Sequence, residues 1–527
     1  MNRLHSFDIF FAQKLALLVA IFWVISQGLV IHLFFDDPFH AGEFFASGTF
    51  FTVENTLNFL PYTIHGALDF IPFLLSKEIF GNDGVFFGTV LIYKIFSLIS
   101  AVFFILIANK LLKENIFKFF FMLVFSLIVY KFVNIRDLFL LVSLFLFVGI
   151  LERNENSFLL NFLFGFSVAL GVFWSFDRGI ATLVSLGAAS LYLTYYDKRF
   201  LSSVFSFIFT FIIASVFFDP IPLGHYLDNL MMLLNTSSQW KYPWHDHVIK
   251  VVIFVVAINI FSIYLYINSV LCDKNKTKKD VALLIALVLL SLLMLKAATN
   301  RADDGHIYFS LWVPLLMLFK TKFLNSNFYI LGVVGIFLVF WLDRFFLFSI
   351  MFFFGIAFVL SEKFRSLIKD NVFYFLLLML SCSLFLMGNG FNKSNYEWLK
   401  SINNPPSNEK MSTEGVKWVA NKLNSYNVNC VFDLANNGII NGLVNAPSCS
   451  RFTYPVYATI KYEEVLIEDL KKSNPPAIVY STSYWSYSID GKSMRDRFPL
   501  LDEYIVHNYP YEQCEYGYCI RSSEKEQ

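Results

Sequence analysis

Short polar segments separate the long apolar runs of this chain, and the first of them carries residue types suited to acid–base chemistry. The segment FDDPFHAGE, Phe35 to Glu43, contains Asp36, Asp37, His40 and Glu43. If Pro38 begins a helix, His40 and Glu43 stand at positions i and i+3 and share one face. We predict that this group supplies a general base, or a metal ligand, that activates an acceptor hydroxyl. Helix capping by an Asp before Pro is the competing interpretation, and it accounts for one carboxylate only.

A second polar segment, NRADDGH, runs from Asn300 to His306 between two apolar runs. Arg301 carries the planar guanidinium that can bind phosphate oxygens in a bidentate manner. His306 could donate to the same group or move a proton, and Asp304 is a further candidate for substrate binding. The alternative is a local salt bridge between Arg301 and Asp304, or its neighbour Asp303, that caps the following helix.

Two further segments, NIRD (Asn134 to Asp137) and FDRG (Phe176 to Gly179), each place an Asp beside an Arg. Arg136, Asp177 and Arg178 are therefore candidates for substrate binding. Each Asp–Arg pair could instead be a self-contained ion pair at a membrane interface, with no contact to substrate.

A long polar loop from Asp219 to His247 contributes Lys241 as another substrate-binding candidate. Its WHDH motif resembles a metal site, but two His at i and i+2 point the same way only on a strand. Stacking of a sugar on Trp240, Tyr242 or Trp244 is the alternative.

Composition explains why these polar segments stand out. Hydrophobic residues make up 57% of the 527 residues, charged residues make up 15%, and the mean hydropathy is +0.58. These values exclude an ordinary soluble enzyme and predict a polytopic membrane protein. A net charge of +1, with no nucleic-acid-binding motif, excludes nucleic acid as a partner. Ionisable side chains are costly near hydrocarbon, so the polar segments are candidates for function.

Apolar runs of about 17 to 25 residues are the usual length of a spanning helix, and about 13 candidates can be counted. They lie at about 15–34, 85–108, 117–133, 137–151, 157–175, 179–196, 200–218, 248–271, 281–299, 306–320, 327–343, 345–361 and 372–389. A further stretch, Ile64 to Phe80, is interrupted by His65, Gly66, Asp69 and Pro72. These interruptions favour one or two short helices at the interface.

Basic residues predict the orientation, because cytoplasmic loops are enriched in Lys and Arg. Alternate loops carry the clustered basic residues: Arg3, Lys14, Lys110, Lys113, Lys118, Lys198, Arg199, Lys274, Lys276, Lys278, Lys279, Lys320, Lys322, Lys363, Arg365 and Lys369. We therefore predict a cytoplasmic N-terminus and a retained first helix, which lacks a small-residue cleavage site. All the polar segments described above then fall on the opposite, external side.

The chain changes character near Gly390, which predicts a multi-spanning domain over residues 1–390 and a C-terminal α/β domain over residues 391–527. NNPPSNEK, Asn403 to Lys410, has the composition of a linker. CVFDL (430–434) and AIVYST (477–482) are typical of buried strands, whereas Thr413 to Leu423 and Val465 to Leu470 follow helical patterns. Alternation of strands and helices favours a partly parallel sheet.

Four of the six cysteines lie in this C-terminal domain: Cys430, Cys449, Cys514 and Cys519. An oxidising compartment would allow two disulfides, and we predict Cys430 with Cys449 and Cys514 with Cys519. A zinc site is the alternative, although no CxxC pair is present.

These features together resemble the GT-C superfamily of membrane glycosyltransferases. The resemblance rests on many spanning helices, the acidic motif DDPFHAGE in the first external loop, basic residues on the external face and an external C-terminal domain. It implies that Asp37 or Glu43 acts as base or organises the site. It also implies that Arg178, Arg301 and His306 hold the phosphate of a lipid carrier.

The expected function is transfer of a sugar from a polyprenyl-phosphate carrier to a cell-envelope glycan or lipid acceptor, on the periplasmic face of a bacterial inner membrane. The partners are then that donor, that acceptor and the bilayer. No cofactor is assigned with certainty, no metal ligands are assigned, and a divalent metal stays open. An O-antigen polymerase or ligase and a secondary transporter are the alternative functions.

Overall fold

A computed structural model of the chain describes residues 2–31, 38–52, 59–112, 122–123, 125–127, 129–153, 157–198, 201–217, 223–239, 246–301, 304–321, 393–482 and 492–525. Within these ranges the protein is mostly helical and ends in a small sheet domain. The described residues therefore have the predicted architecture, a helical membrane fold with a C-terminal α/β domain.

Twelve helices of the membrane part lie within the described residues. They are α1 (Asn2–Gly28), α2 (Pro38–Thr52), α3 (Ile71–Phe80), α4 (Val85–Leu111), α5 (Leu138–Glu152), α6 (Phe158–Trp174), α7 (Phe176–Tyr196), α8 (Leu201–Phe217), α9 (Leu223–Thr236), α10 (Asp246–Leu271), α11 (Lys278–Arg301) and α12 (Asp304–Lys320). Two turns of 3-10 helix, Val129–Lys131 and Ile135–Asp137, precede α5.

Three of the described helices are long and apolar enough to cross a membrane: Val85–Leu111, Phe176–Tyr196 and Lys278–Thr299. Five shorter apolar helices accompany them, at Gln13–Gly28, Phe158–Trp174, Leu201–Ile213, Val255–Leu271 and His306–Lys320. The expected spans at 327–343, 345–361 and 372–389 lie outside the described residues. The number of about 13 spanning helices therefore stays a prediction.

Two short helices lie between α1 and α4. α2 begins at Pro38, as predicted, and has 15 residues. The stretch Ile64 to Phe80 forms a loop followed by the 10-residue α3, which has Pro72 at its start. Proline is tolerated there because the first turn of a helix has no partner for its missing N–H. Neither helix has the length of a membrane span.

The C-terminal domain is a four-stranded sheet with helices around it. Its helices are α13 (Glu414–Ser425), α14 (Ile439–Val444), α15 (Glu463–Ser473), α16 (Met494–Arg497) and α17 (Pro499–Asn508), and its strands are β1 (Phe432–Asp433), β2 (Ala477–Ser481), β3 (Tyr511–Glu515) and β4 (Tyr518–Ser522). The strand order is β1-β2-β4-β3. β1 and β2 are parallel, and β4 is antiparallel to both β2 and β3. The prediction of a partly parallel sheet is confirmed.

Both predicted disulfides are present. Cys430 is bonded to Cys449, and Cys514 is bonded to Cys519 across the β3–β4 hairpin. Disulfides persist in oxidising compartments such as the periplasm. This pairing is consistent with an external C-terminal domain.

The C-terminal domain packs directly on α2. Tyr454 donates its hydroxyl to the Phe39 carbonyl at 2.7 Å and accepts from the Gly438 N–H at 3.0 Å. A Cβ on Gly438 would lie 2.0 Å from the Gly42 carbonyl oxygen, so the two backbones touch. Phe39 and Tyr454 also belong to one continuous buried apolar cluster. The domain and α2 therefore hold a fixed relative position.

The predicted linker is attached to the N-terminus of α4. Asn408 donates its side-chain amide to the Asn82 carbonyl at 2.7 Å and accepts from the Phe86 N–H at 3.1 Å. Its backbone N–H donates to the Asp83 carbonyl at 3.0 Å. The boundary near Gly390 lies outside the described residues, so its position stays a prediction.

Candidate functional site

A buried carboxylate lies where α2, the loop before α3 and the C-terminal domain meet. Glu43 is 5% exposed and His65 is 8% exposed. His65 Nε2 lies 2.7 Å from Glu43 Oε2. The hydroxyl of Tyr457, from the C-terminal domain, donates to the other oxygen, Glu43 Oε1. Both oxygens of this carboxylate are therefore engaged.

The second ring nitrogen of His65 contacts an arginine. Arg136 Nη1 lies 3.0 Å from His65 Nδ1. A guanidinium has donors only, so Nδ1 must be the acceptor and carry no proton. The neutral ring then carries its proton on Nε2, the nitrogen that faces Glu43. His65 is thereby held in one tautomer between an acceptor and a donor.

Arg136 is positioned by a tight turn in front of α5. The Asn134 side chain accepts from the Arg136 N–H at 2.9 Å, and the Asp137 carboxylate accepts from the Asn134 N–H at 3.0 Å. These two bonds form a reciprocal cap on the short Ile135–Asp137 helix. Arg136 is half-buried. Within the described residues, its side-chain hydrogen bond to His65 uses one of five N–H donors, so the others can bind an anion.

The second arginine of the region has a different environment. Arg178 is 3% exposed, and its Nε lies 3.1 Å from Asp137 Oδ1. Its Nη1 lies 3.7 Å from Asp177 Oδ2 and 2.9 Å from the Met294 sulfur. The ion pair therefore joins the NIRD and FDRG segments to each other, and neither segment is self-contained. Arg178 lies between two carboxylates and serves as a structural link.

Backbone contacts hold the His65 loop against the start of α7. The Phe176 N–H donates to the His65 carbonyl at 2.7 Å. A Cβ on Gly66 would lie 2.0 Å from the Trp174 carbonyl oxygen, so only glycine allows this approach. Asp69 Oδ2 accepts from the N–H groups of His65 and Gly66 at 3.1 and 3.2 Å. The imidazole is consequently fixed by its backbone as well as by its ring contacts.

The protonation states agree with this geometry. Burial alone would raise the pKa of Glu43, but His65, His40 and the Tyr457 hydroxyl lower that pKa to about 2. Burial and the Arg136 guanidinium lower the pKa of His65 below its ordinary value. At neutral pH the site therefore contains a carboxylate, a neutral imidazole and a guanidinium.

The other predicted site residues are spread over the same region or fall outside it. His40 is half-buried on α2, one turn before Glu43, and its ring stacks over His65 with centroids 6.4 Å apart. His306 is half-buried near the start of α12 and lies edge-on to Phe309. Arg301 ends α11 and Asp304 begins α12. Asp36, Asp37 and Lys241 lie outside the described residues.

Phe309 connects α12 to Arg178. The Arg178 guanidinium carbon lies 6.0 Å from the Phe309 ring centroid, and Met294 on α11 contacts the same guanidinium. The helices that flank NRADDGH therefore pack against Arg178. The helices α11 and α12 therefore pack against the elements that carry NIRD and FDRG.

His65, Asp137 and Tyr457 are not among the site residues predicted from the sequence. The available signal was the interruption of an apolar stretch by His65, Gly66 and Asp69, since ionisable residues among apolar ones indicate function. Tyr457 is separated from Glu43 by 414 positions. No local pattern could have paired them.

One group of described residues is close enough to share a metal ion: Glu512, Cys514 and Cys519. The two sulfurs of this group form the β3–β4 disulfide. Thiolates and not disulfide sulfurs are the usual ligands for metals, so this group is a poor candidate. A divalent metal at the predicted acidic loop stays a prediction.

The fold of this chain is similar to that of a solved structure. No model of a known protein family matches the sequence, and no curated protein sequence matches it. A solved structure, ArnT from Cupriavidus metallidurans bound to undecaprenyl phosphate, has a similar fold. The match covers 97% of this chain and 98% of the ArnT chain, with a TM-score of 0.51 and 10% sequence identity. The likeness shows that this chain shares the fold of ArnT, which confirms the predicted helical membrane architecture with a small C-terminal sheet domain.

Proposed function

We propose that this protein is a membrane glycosyltransferase that moves a sugar from a polyprenyl-phosphate carrier to a cell-envelope glycan or lipid acceptor. The observation that carries the proposal is the half-buried guanidinium of Arg136, oriented by His65 beside the carboxylate of Glu43. Transfer from such a carrier leaves a lipid phosphate, and a fixed cation stabilises the negative charge that develops on it. The fold shared with ArnT, whose structure holds undecaprenyl phosphate, supports a polyprenyl-phosphate carrier.

Arg136 is assigned to the carrier phosphate. A guanidinium can bind two phosphate oxygens at once, and its partly exposed position allows a ligand to reach it. Arg301 ends α11 and His306 lies near the start of α12. Both are assigned to the carrier phosphate or to the sugar. Arg178 is assigned to the scaffold that holds NIRD and FDRG together.

The acidic loop is assigned to the acceptor hydroxyl. Both oxygens of Glu43 are engaged, so its role is to fix His65. The general base is then Asp37, which comes just before α2 in the sequence, or His40, which lies in the first turn of α2. Each is of a residue type that can remove a proton from an attacking hydroxyl.

The proposed location is the periplasmic face of a bacterial inner membrane. The clustered basic residues of alternate loops support a cytoplasmic N-terminus. The two disulfides support an oxidising compartment for the C-terminal domain.

Mass spectrometry of cell-envelope glycans tests this function in a strain that lacks the gene. The strain is complemented with the wild type, with Arg136→Gln, or with Arg153→Gln as a matched control. Arg153 is exposed and follows α5, whereas Arg136 precedes the same helix. We expect loss of one sugar unit, restored by the wild type and Arg153→Gln but not by Arg136→Gln at equal expression.

Two results would contradict the proposal. An unchanged sugar composition with altered chain length would indicate a polymerase or ligase. Unchanged glycans in the deletion strain would leave transport as the function to test.

A further inference from the structure

We propose that Tyr457 of the C-terminal domain is a positioning residue, which acts through Glu43 and His65 to aim Arg136 at the carrier phosphate. This inference rests on the proposed function and adds a role for the C-terminal domain. The Tyr457 hydroxyl donates to Glu43 Oε1, Glu43 Oε2 lies 2.7 Å from His65 Nε2, and Arg136 Nη1 lies 3.0 Å from His65 Nδ1. The four side chains form one continuous polar chain.

The C-terminal domain fixes the position of the Tyr457 hydroxyl. Tyr457 is 1% exposed and lies in the 3-10 helix Pro455–Ala458. Its ring stacks on Tyr454 with centroids 5.7 Å apart, and it meets Phe39 edge-on at 6.0 Å. A tightly packed aromatic side chain has little rotamer freedom. The hydroxyl therefore transmits the position of the domain to Glu43.

Each link restricts the next one. Because Oε1 accepts from Tyr457, the Glu43 carboxylate cannot rotate without losing a buried hydrogen bond. A fixed carboxylate keeps the proton of His65 on Nε2. His65 Nδ1 then offers a lone pair, and that lone pair orients Arg136.

Removal of the Tyr457 hydroxyl weakens the polar contacts between Glu43, His65 and Arg136 and raises the pH at which they are lost. Glu43 becomes more basic when it loses a donor, and a more basic carboxylate favours a doubly protonated His65. A protonated Nδ1 can no longer accept from Arg136. The orientation of Arg136, and with it the affinity for phosphate, is then lost at a higher pH than in the wild type.

Tyr454 provides a matched control. It is buried as completely as Tyr457 and packs against the same ring of Phe39. Its hydroxyl contacts two backbone groups, the Phe39 carbonyl and the Gly438 N–H. Tyr454→Phe and Tyr457→Phe both remove a buried hydroxyl, and the hydroxyl that donates to Glu43 is that of Tyr457.

The test is binding of undecaprenyl phosphate to the full-length protein in lipid nanodiscs, from about pH 5 to about pH 8, the range in which imidazoles titrate. We expect Tyr457→Phe to bind about tenfold more weakly than the wild type at neutral pH. Its acid loss of affinity should move upward by about one pH unit. Tyr454→Phe should keep the wild-type affinity and pH profile.

Equal affinities and equal pH profiles for the two Phe variants would overturn the positioning role and leave the proposed function intact. Failure of the wild type to bind undecaprenyl phosphate would overturn the proposed function, and this role with it. If Tyr457→Phe does not fold, Glu43→Gln provides the same comparison, because an amide presents a donor where the carboxylate presents only acceptors. Wild-type affinity and pH profile in Glu43→Gln would also overturn the role.

Discussion

Arg136 and Arg178 stand in segments with similar sequences, NIRD and FDRG, but in different surroundings. Arg178 is 3% exposed and lies against the carboxylates of Asp137 and Asp177. Arg136 is half-buried, and among the described residues its side chain is hydrogen-bonded to the neutral imidazole of His65, although its charge also acts on Asp177. An arginine paired with carboxylates has little capacity left for an anion, whereas one oriented by a neutral ring keeps its charge and most of its donors.

Arg136 and Arg178 therefore have separate roles, although their local sequences are similar. Arg178 joins α7 to the turn before α5, and it also contacts α11 and α12 through Met294 and Phe309. Arg136 lies at the end of a polar chain that begins in the C-terminal domain. The first arrangement holds helices together, and the second presents a cation to a ligand.

The largest predicted effect on stability is that of Arg178→Met. This change leaves the buried Asp137 without its ion-pair partner, which costs about 3 to 5 kcal/mol in the free energy of unfolding. The measurement is an unfolding titration of the purified protein in detergent. Adding Asp137→Leu to Arg178→Met should restore part of the loss, because the unpaired charge is then removed as well. Wild-type stability in the single variant would contradict the structural role.

Acidification should reduce the stability of the protein by a smaller amount than Arg178→Met does, and it should act through His65, the partner of Arg136. The pKa of His65 is lowered in the folded protein, so the unfolded chain binds this proton first as pH falls below about 6.5. Stability should therefore decrease with decreasing pH in that range. Glu43 contributes in the same direction at lower pH, between its ordinary pKa of 4.5 and its folded value of about 2.

His65→Gln removes the imidazole and checks this assignment. Thermal unfolding of both proteins in detergent at several pH values between about pH 7 and about pH 5 measures the difference. We expect the wild type to lose more stability than His65→Gln over this interval. Equal losses would show that His65 is not buried in its neutral form.

The smallest predicted effect on stability is that of Arg136→Gln. Arg136 is half-buried and its direct partner is neutral, so the change leaves no buried charge unpaired. The free energy of unfolding should change by about 1 kcal/mol or less, close to that of the Arg153→Gln control. A loss as large as that of Arg178→Met, measured by the same titration, would place Arg136 in the scaffold.

Much of the fold could be predicted from local patterns in the sequence. Pro38 marks the start of α2 because proline suits the first turn of a helix. The apolar segments around Phe432 and Ile478 indicate two buried strands, and the spacing of four cysteines allows the two disulfides that form. Such features depend on residues close together in the sequence.

The composition of the candidate site could not be predicted in the same way. Arg136 and His65 are 71 positions apart, and Tyr457 and Glu43 are 414 positions apart. Which of these polar groups meet depends on how α2, the loop before α3 and the C-terminal domain pack together. The sequence also cannot distinguish Arg136 from Arg178, because their difference arises from burial and from the partners that packing supplies.

The affinity of Arg136→Gln for undecaprenyl phosphate, compared with the wild type and Arg153→Gln in lipid nanodiscs, tests the central assignment most directly. Loss of a charge-assisted contact to phosphate should weaken binding by about a hundredfold in Arg136→Gln. Arg153→Gln should bind as the wild type does. Equal binding by all three proteins would contradict the assignment of Arg136 to the carrier phosphate.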